Sequence, residues 1–216
     1  MKVTIFGATG KTGNYLIDEG LKRGFEVTVF ARSGSAFEHP MVRIVRGELT
    51  DAALLGQAIR GSDAVLSALG PTSPQHPKGL PITAATQAIV AAMKQENVKR
   101  LIAVSTGTAP DPDDGFDWKV RLQALMVKVL LPSSYRDIIG LAGAIRASQL
   151  DWTMVRVALL TSRPATRRLT VGMYGHARHS MTVSREDMAI FMFNQISSRE
   201  VVNNEHLNQA PGISAA

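Results

Sequence analysis

The stretch that decides the fold is Val3-Thr4-Ile5-Phe6-Gly7-Ala8-Thr9-Gly10-Lys11-Thr12-Gly13-Asn14-Tyr15-Leu16-Ile17. Val3 to Phe6 is a short β-branched and aromatic run, the composition of a buried strand. Beyond it Gly13, Leu16, Ile17, Gly20 and Leu21 recur at helical spacing and define one face of a helix that ends near Arg23-Gly24. The loop between them carries glycine at positions 7, 10 and 13. A diphosphate needs backbone N–H donors, the positive end of a helix dipole and places of approach without a Cβ, and this junction offers all three. In that reading Gly7 makes the turn, Gly10 admits the phosphate and Gly13 lets the helix close on the sheet, with Thr9, Lys11 and Thr12 beside the same anion. Two other readings compete. Gly10-Lys11-Thr12 also ends the nucleoside-triphosphate loop, but that motif wants a glycine where Ile5 sits in mid-strand, and it wants a strand-end aspartate for magnesium. A turn of purely structural glycines is the other.

Working outward, the first half alternates strand-like runs with helical ones, the rhythm of βαβ units and a parallel sheet. Val27 to Ala31, Val42 to Val45, Ala64 to Ser67 and Leu101 to Ser105 read as further strands. Asp51 opens a helix to Arg60, and Pro81 opens a longer one with Ile82, Ala85, Ile89 and Met93 on one side. Gly107 to Phe116 is turn chemistry and reads as a surface loop. Helices follow over about 118–130 and 135–148, then a strand from Trp152 to Val157. Arg168 to Met173 and Met181 to Val183 read as two strand segments joined by a turn. Ser184 caps a last helix that buries Met188, Phe191, Met192 and Ile196, while the tail from Val202 onward reads as loosely held. The expected architecture is one α/β domain over residues 1–216, a three-layer doubly wound Rossmann-like parallel sheet. Small substrate-side elements are expected over about 107–135 and 158–183.

Composition narrows the chemistry. With no cysteine among 216 residues, disulfides, thiolate nucleophiles and cysteine-bound metals are excluded. His176 and His179 have metal-like spacing without a carboxylate or thiol close in sequence, so a turn is the simpler account and no metal site is expected. No apolar run is long enough for a signal or a membrane span, which leads to the expectation of a soluble cytoplasmic protein. The net charge of +6 is not organised as a basic stripe interleaved with aromatics, so nucleic acid is not an expected partner. Residues 118–131 are basic and amphipathic. They either dock on a membrane or partner, or pack Leu122, Leu125, Met126 and Val129 inward; the second is expected, and with it no membrane association. Oligomeric state stays open.

The end of the second strand selects the cofactor. A carboxylate there would grip the adenosine ribose and repel a 2′-phosphate, whereas Arg32-Ser33 favours that phosphate. NADP(H) is therefore expected in preference to NAD(H), the alternative being that Arg32 is simply solvated. Glu48 and Asp51 follow the third strand; Asp51 is expected to cap its helix.

With these residues quoted, the chain resembles the atypical short-chain dehydrogenase/reductases, in the NAD(P)H-binding group that includes biliverdin IXβ/flavin reductase and NmrA-like proteins. The resemblance covers about the whole chain. It rests on the glycine loop, Arg32-Ser33, Ala64 to Gly70, Val98 to Ile102 leading to Ser105-Thr106, Leu150 to Arg156 and Ser184 to Ala189. It implies NADPH lying along the C-terminal edge of the strands against Ala68, Leu69, Gly70 and Ser105, with a shallow site for a planar acceptor over the nicotinamide. FMN or FAD would enter there as substrate and not as a prosthetic group. The chain departs from the pattern at Val157, where proline is usual, at Leu159, where the flavin/biliverdin reductases suggest histidine, and from Ile138 to Ala142, which is apolar.

Reduction of ordinary carbonyls in short-chain dehydrogenases uses Tyr-x-x-x-Lys, whose lysine lowers the tyrosine pKa. Tyr15, Tyr135 and Tyr174 all lack a lysine four residues on. Hydride transfer to a flavin, quinone or tetrapyrrole does not need that pair, because the cofactor carries the chemistry and water can supply protons. Ser105 and Thr106, at the end of the fifth strand, are the candidate catalytic residues, orienting substrate or nicotinamide; a hydroxyl that caps a turn is the alternative. His76, in the loop Pro71 to Pro77, is either a proton donor or merely solvated. Arg163, Arg167 and Arg168 either attract an acidic substrate or line a solvated loop. The expectation is an NADPH-dependent reductase of a small planar redox acceptor, the alternatives being an NmrA-like NADP(H) sensor without turnover and an isomerase or epimerase.

Overall fold

The chain runs β1 (Lys2–Phe6), α1 (Gly13–Lys22), β2 (Glu26–Ala31), β3 (Arg43–Arg46), α2 (Ala52–Ile59), β4 (Ala64–Ser67), α3 (Pro81–Gln95) and β5 (Arg100–Thr106). It continues through α4 (Trp118–Leu130), α5 (Pro132–Arg146), β6 (Asp151–Val157), β7 (Leu159–Thr161), β8 (Leu169–Gly172), β9 (Thr182–Ser184), α6 (Arg185–Asn194) and β10 (Gly212–Ala215). This computed structural model describes residues 1–73, 75–196 and 206–216. The main sheet has the order β3-β2-β1-β4-β5-β6-β10-β8, parallel except for β8, which runs antiparallel to β10.

Alternation along β1 shows how sequence makes three layers. Val3 and Ile5 join the core beneath α1 and α6, with Leu16, Ile17, Met188 and Phe193. Phe6 joins the core on the other face, with Leu55, Ile89 and Leu141 from α2, α3 and α5. Thr4 points to that face as well and satisfies its buried hydroxyl on Ala58 O at 2.7 Å and against Ser62. Both faces of β1 are thus covered, as a central parallel strand requires. Helix ends follow their caps. The Asp51 carboxylate accepts from Leu54 N, and Ser184 Oγ accepts from Asp187 N at 2.9 Å. Asp187 uses the rest of its carboxylate to hold the segment 165–167 through the amides of Thr166 and Arg167.

Four expectations are corrected. The C-terminal residues are not loose: β10 lies between β6 and β8, with Ile213 buried and Gly212 beneath the Tyr174 ring, where a Cβ would stand 2.8 Å from a ring carbon. Residues 202–205 of that expected tail lie outside the described residues. The two segments β8 and β9 do not pair with each other; β8 takes β10 as partner and β9 lies parallel to β7. The 107–116 loop is partly interior, since Thr108 and Ala109 are buried and Asp114 is drawn in by the guanidinium of Arg156. Helix α4 buries none of its residues, and Leu122, Leu125, Met126 and Val129 face out. Its contact with α5 runs along the opposite side, where Val120, Ala124 and Val127 are partly covered.

Candidate functional site

The carboxyl ends of β1, β4, β5 and β6 open into a cleft of about 570 Å³. The chain leaves β1 toward β2 on one side and continues from β4 on the other, so this is the crevice where strand order reverses. Gly7, Thr9, Gly10, Lys11 and Thr12 form one side, and Ala68, Leu69 and Gly70 another. Ser105 and Thr106 stand at its base. Ten residues picked out from the sequence are thereby brought together.

The glycine loop is shaped for an anion. Gly7 has φ +78°, and a Cβ on it would meet Ala68 C and O at 2.8 Å. Only glycine fits there without strain. Gly13 has no room for a methyl, because its Cβ would lie 1.9 Å from Ala8 O. Among the described residues, the amides of Lys11 and Thr12 find no acceptor, and the Thr12 side chain does not cap α1. Two donors, a free hydroxyl and the Lys11 ammonium therefore border the cleft where the helix dipole is positive.

The Ser105-Thr106 pair divides in role. Thr106 Oγ1 is hydrogen-bonded to the Thr108 hydroxyl and accepts from Thr108 N at 3.3 Å, which is turn capping. Ser105 is 5% exposed and its Oγ has no partner among the described residues. A buried hydroxyl without a partner is costly, and a ligand amide in the cleft would satisfy it. Arg32 and Ser33 do not line the cleft. They are exposed, just past β2, at the sheet edge beside the glycine loop, with the Ser33 hydroxyl bonded to Glu48.

Sequence reasoning missed the remaining walls. Ile82, Ile138 and Leu141 arrive from α3 and α5, Val157 ends β6, and Ala158 to Leu160 follow it. The apolar departures at Leu159 and from Ile138 to Ala142 were the available signal. Arg185 also lines the cleft, donating from Nη1 to Ser162 Oγ at 3.0 Å. It and Lys11 are the cleft's charged residues among those described.

His76 is neither solvated nor a free proton donor. Its side chain is 7% exposed, and Nε2 lies 2.6 Å from Asp137 Oδ2. Pro74, in the same loop, lies outside the described residues. Asp137 is fully buried and also accepts from Ile82 N at 3.0 Å and Thr83 N at 2.7 Å, so it caps α3 from outside that helix. Leu80, just before, is in the left-handed region at φ 51° and supplies no cap of its own. The aspartate thus anchors both the loop at the cleft mouth and the helix carrying Ile82. Burial raises its pKa, but hydrogen bonds from Thr83, His76 and Ile82 outweigh that and hold it below the ordinary 3.8. A depressed carboxylate stabilises the fold above its ordinary pKa and loses that contribution as pH falls through the folded value. Thermal melts of wild type and Asp137→Asn should therefore differ most near neutrality and converge in acid below that ordinary value. Parallel pH profiles for the two would contradict the anchoring role.

His176 and His179 do not converge. His179 Nε2 lies 3.1 Å from Gly172 O, its Nδ1 faces Ser214, and burial lowers its pKa. Arg163, Arg167 and Arg168 are exposed, as a solvated loop requires. Tyr135, on α5, lines a separate smaller cleft with Tyr174.

Residues 7–199 match the family model described as NAD(P)H-binding, and the chain belongs to that family. The uncharacterized protein YwnB of Bacillus subtilis (strain 168) is 26% identical over 209 residues, covering 94% of this chain and 95% of that protein. A short-chain dehydrogenase/reductase from Veillonella parvula, solved in complex with NADP, superposes with TM-score 0.77 at 20% identity, over 99% of this chain and 94% of that one. ChuY, an anaerobillin reductase from Escherichia coli O157:H7, superposes with TM-score 0.73 at 17% identity, over 99% and 97%. The fold is thus that of the Rossmann-type short-chain dehydrogenase/reductases.

Proposed function

We propose that this member of the NAD(P)H-binding family is an NADPH-dependent reductase of a small planar acceptor, a flavin or a quinone. The observation that carries the reading is one cleft in which an amide cradle, Lys11 and the orphaned Ser105 hydroxyl meet an apolar wall. The bound dinucleotide would supply the hydride. Gly7, Gly10, Lys11 and Thr12 would hold its diphosphate, and Ser105 would orient the carboxamide or the acceptor by one hydrogen bond. Ile138, Leu141 and Leu159 would keep water from one face of a flat ring and bring the reacting rings into contact. Of the two substrate-side spans expected from the sequence, residues 158–160 would border the acceptor, whereas described residues of 107–135 border the separate smaller cleft. The missing Tyr-x-x-x-Lys pair fits an acceptor that takes its protons from water.

That same missing pair also favours an NADP(H) sensor of the NmrA-like kind. Purified protein with NADPH and either FMN or a naphthoquinone separates the two: sustained NADPH oxidation supports the reductase, and tight binding without oxidation across acceptors supports the sensor. Arg32 would hold the 2′-phosphate. Arg32→Ala is expected to lower the NADPH-to-NADH affinity ratio by about tenfold or more, the worth of a charge-assisted contact to phosphate. An unchanged ratio by calorimetry would remove Arg32 from the site.

A further inference from the structure

Helix α4 presents the largest run of exposed apolar side chains in the described residues, and the reductase reading makes no use of it. Trp118, Leu122, Leu125 and Val129 are 60%, 49%, 57% and 67% exposed. Their spacing of four, three and four residues puts them on one face of the helix. Phe116, Met126 and Leu130, also exposed, widen that face. Its flanks are basic: Lys119 lies on one side and Arg121 and Lys128 on the other, and the helix contains no acidic residue. The nearby acids are mostly engaged. Asp117 caps the helix through the amides of Lys119 and Val120, Asp111 pairs with Arg146, and Asp114 pairs with Arg156; Asp113 is exposed in the preceding loop.

We propose that α4 docks the protein on an anionic lipid surface, lying in the interface with its apolar face down and its cations among the headgroups. Charge complementarity selects this occupant. A two-fold contact of the face with a second copy would set Lys119, Arg121 and Lys128 among their own counterparts with no helix carboxylate to offset them. A membrane surface offers apolar depth bordered by anions, and a helix with a tryptophan at one end and basic flanks suits that boundary. No described helix is long and apolar enough to cross a membrane, so the helix would lie on the bilayer. The docking does not depend on the redox reading.

The test uses the full chain and phosphatidylcholine vesicles with and without phosphatidylglycerol. Trp118 is 60% exposed and Trp152 is 9% exposed, so a change in tryptophan emission reports chiefly on α4. Co-sedimentation with the anionic vesicles only, a blue shift of the emission, and release in about 0.5 M salt are expected. Leu125→Asp changes an exposed position and should keep the melting temperature while weakening vesicle binding by about tenfold or more. Absence of binding to anionic vesicles overturns the proposal, as does binding that Leu125→Asp leaves intact. A dimer seen by sedimentation velocity, lost in Leu125→Asp and without affinity for lipid, would assign the face to a second copy instead.

Discussion

Arg156→Ala should melt far below the wild type, with a loss of about 3–5 kcal/mol, the usual consequence of stripping one partner from a buried ion pair. For a domain of this length that is a fall of roughly 10 °C. Arg156 is completely buried. Its Nη1 and Nη2 each meet an Asp114 oxygen at 2.6 Å, Nε donates to Ala210 O at 2.6 Å, and Nη1 also donates to Ala109 O at 3.1 Å. The Tyr174 ring stacks at 4.9 Å from the guanidinium carbon. One side chain therefore ties β6 to the 107–117 loop and to the residues leading into β10. Burial raises the Asp114 pKa, but the hydrogen bonds and charge of Arg156 more than reverse this and hold the carboxyl below its ordinary value. Without the arginine, that carboxylate and two carbonyls lose their partner together. Arg156→Lys keeps a charge but not the planar fork, so it should fall between the two. An alanine variant melting within about 2 °C of wild type, well short of the domain's expected response to such a loss, would refute this account.

The same contact shows where sequence reading stops. Arg156 and Asp114 are 42 residues apart, in a strand and a loop with no shared pattern. The glycine loop, the caps at Asp51 and Ser184, and the helices that follow β1, β3 and β4 were legible because each is a local or periodic signal. Strand β10 was not: Gly212-Ile213-Ser214-Ala215 is short and small, and its place is set by Arg156 O, Tyr174 and the edge of β8. The β8 and β9 segments looked like a hairpin because local turn chemistry says nothing of partners elsewhere in the fold. For α4, periodicity established that an apolar face exists, while which surface covers it is a tertiary matter. In the cleft, residues at strand ends could be foreseen from topology, whereas Ile82, Ile138 and Leu141 enter only through the way α3 packs on α5. His76 could be noticed as a titrating group, but its latch on Asp137 spans 61 residues.

Gly10→Ala and Gly13→Ala should part company. At Gly10 a Cβ would have one close neighbour, Gly7 O at 3.3 Å, and the backbone has no positive φ to forbid alanine. The fold should absorb that contact, with a stability change within about 1 kcal/mol. Gly10 nonetheless lines the cleft beside the amides of Lys11 and Thr12, so the added methyl falls where a diphosphate must approach. NADPH affinity should drop by about tenfold or more, or roughly 1.4 kcal/mol and upward. At Gly13 the Cβ would meet Ala8 O, C and Cα at 1.9, 2.2 and 2.3 Å, all backbone atoms that cannot swing aside. Helix α1 must then shift off the sheet, costing at least about 1–3 kcal/mol of overpacking as well as the anion site. A purely structural glycine turn predicts the opposite pairing, in which Gly10→Ala leaves dinucleotide binding untouched. Calorimetric titration beside thermal melts therefore decides between them: tight NADPH binding by a well-folded Gly10→Ala protein would take the diphosphate away from this loop, and with it the reductase assignment.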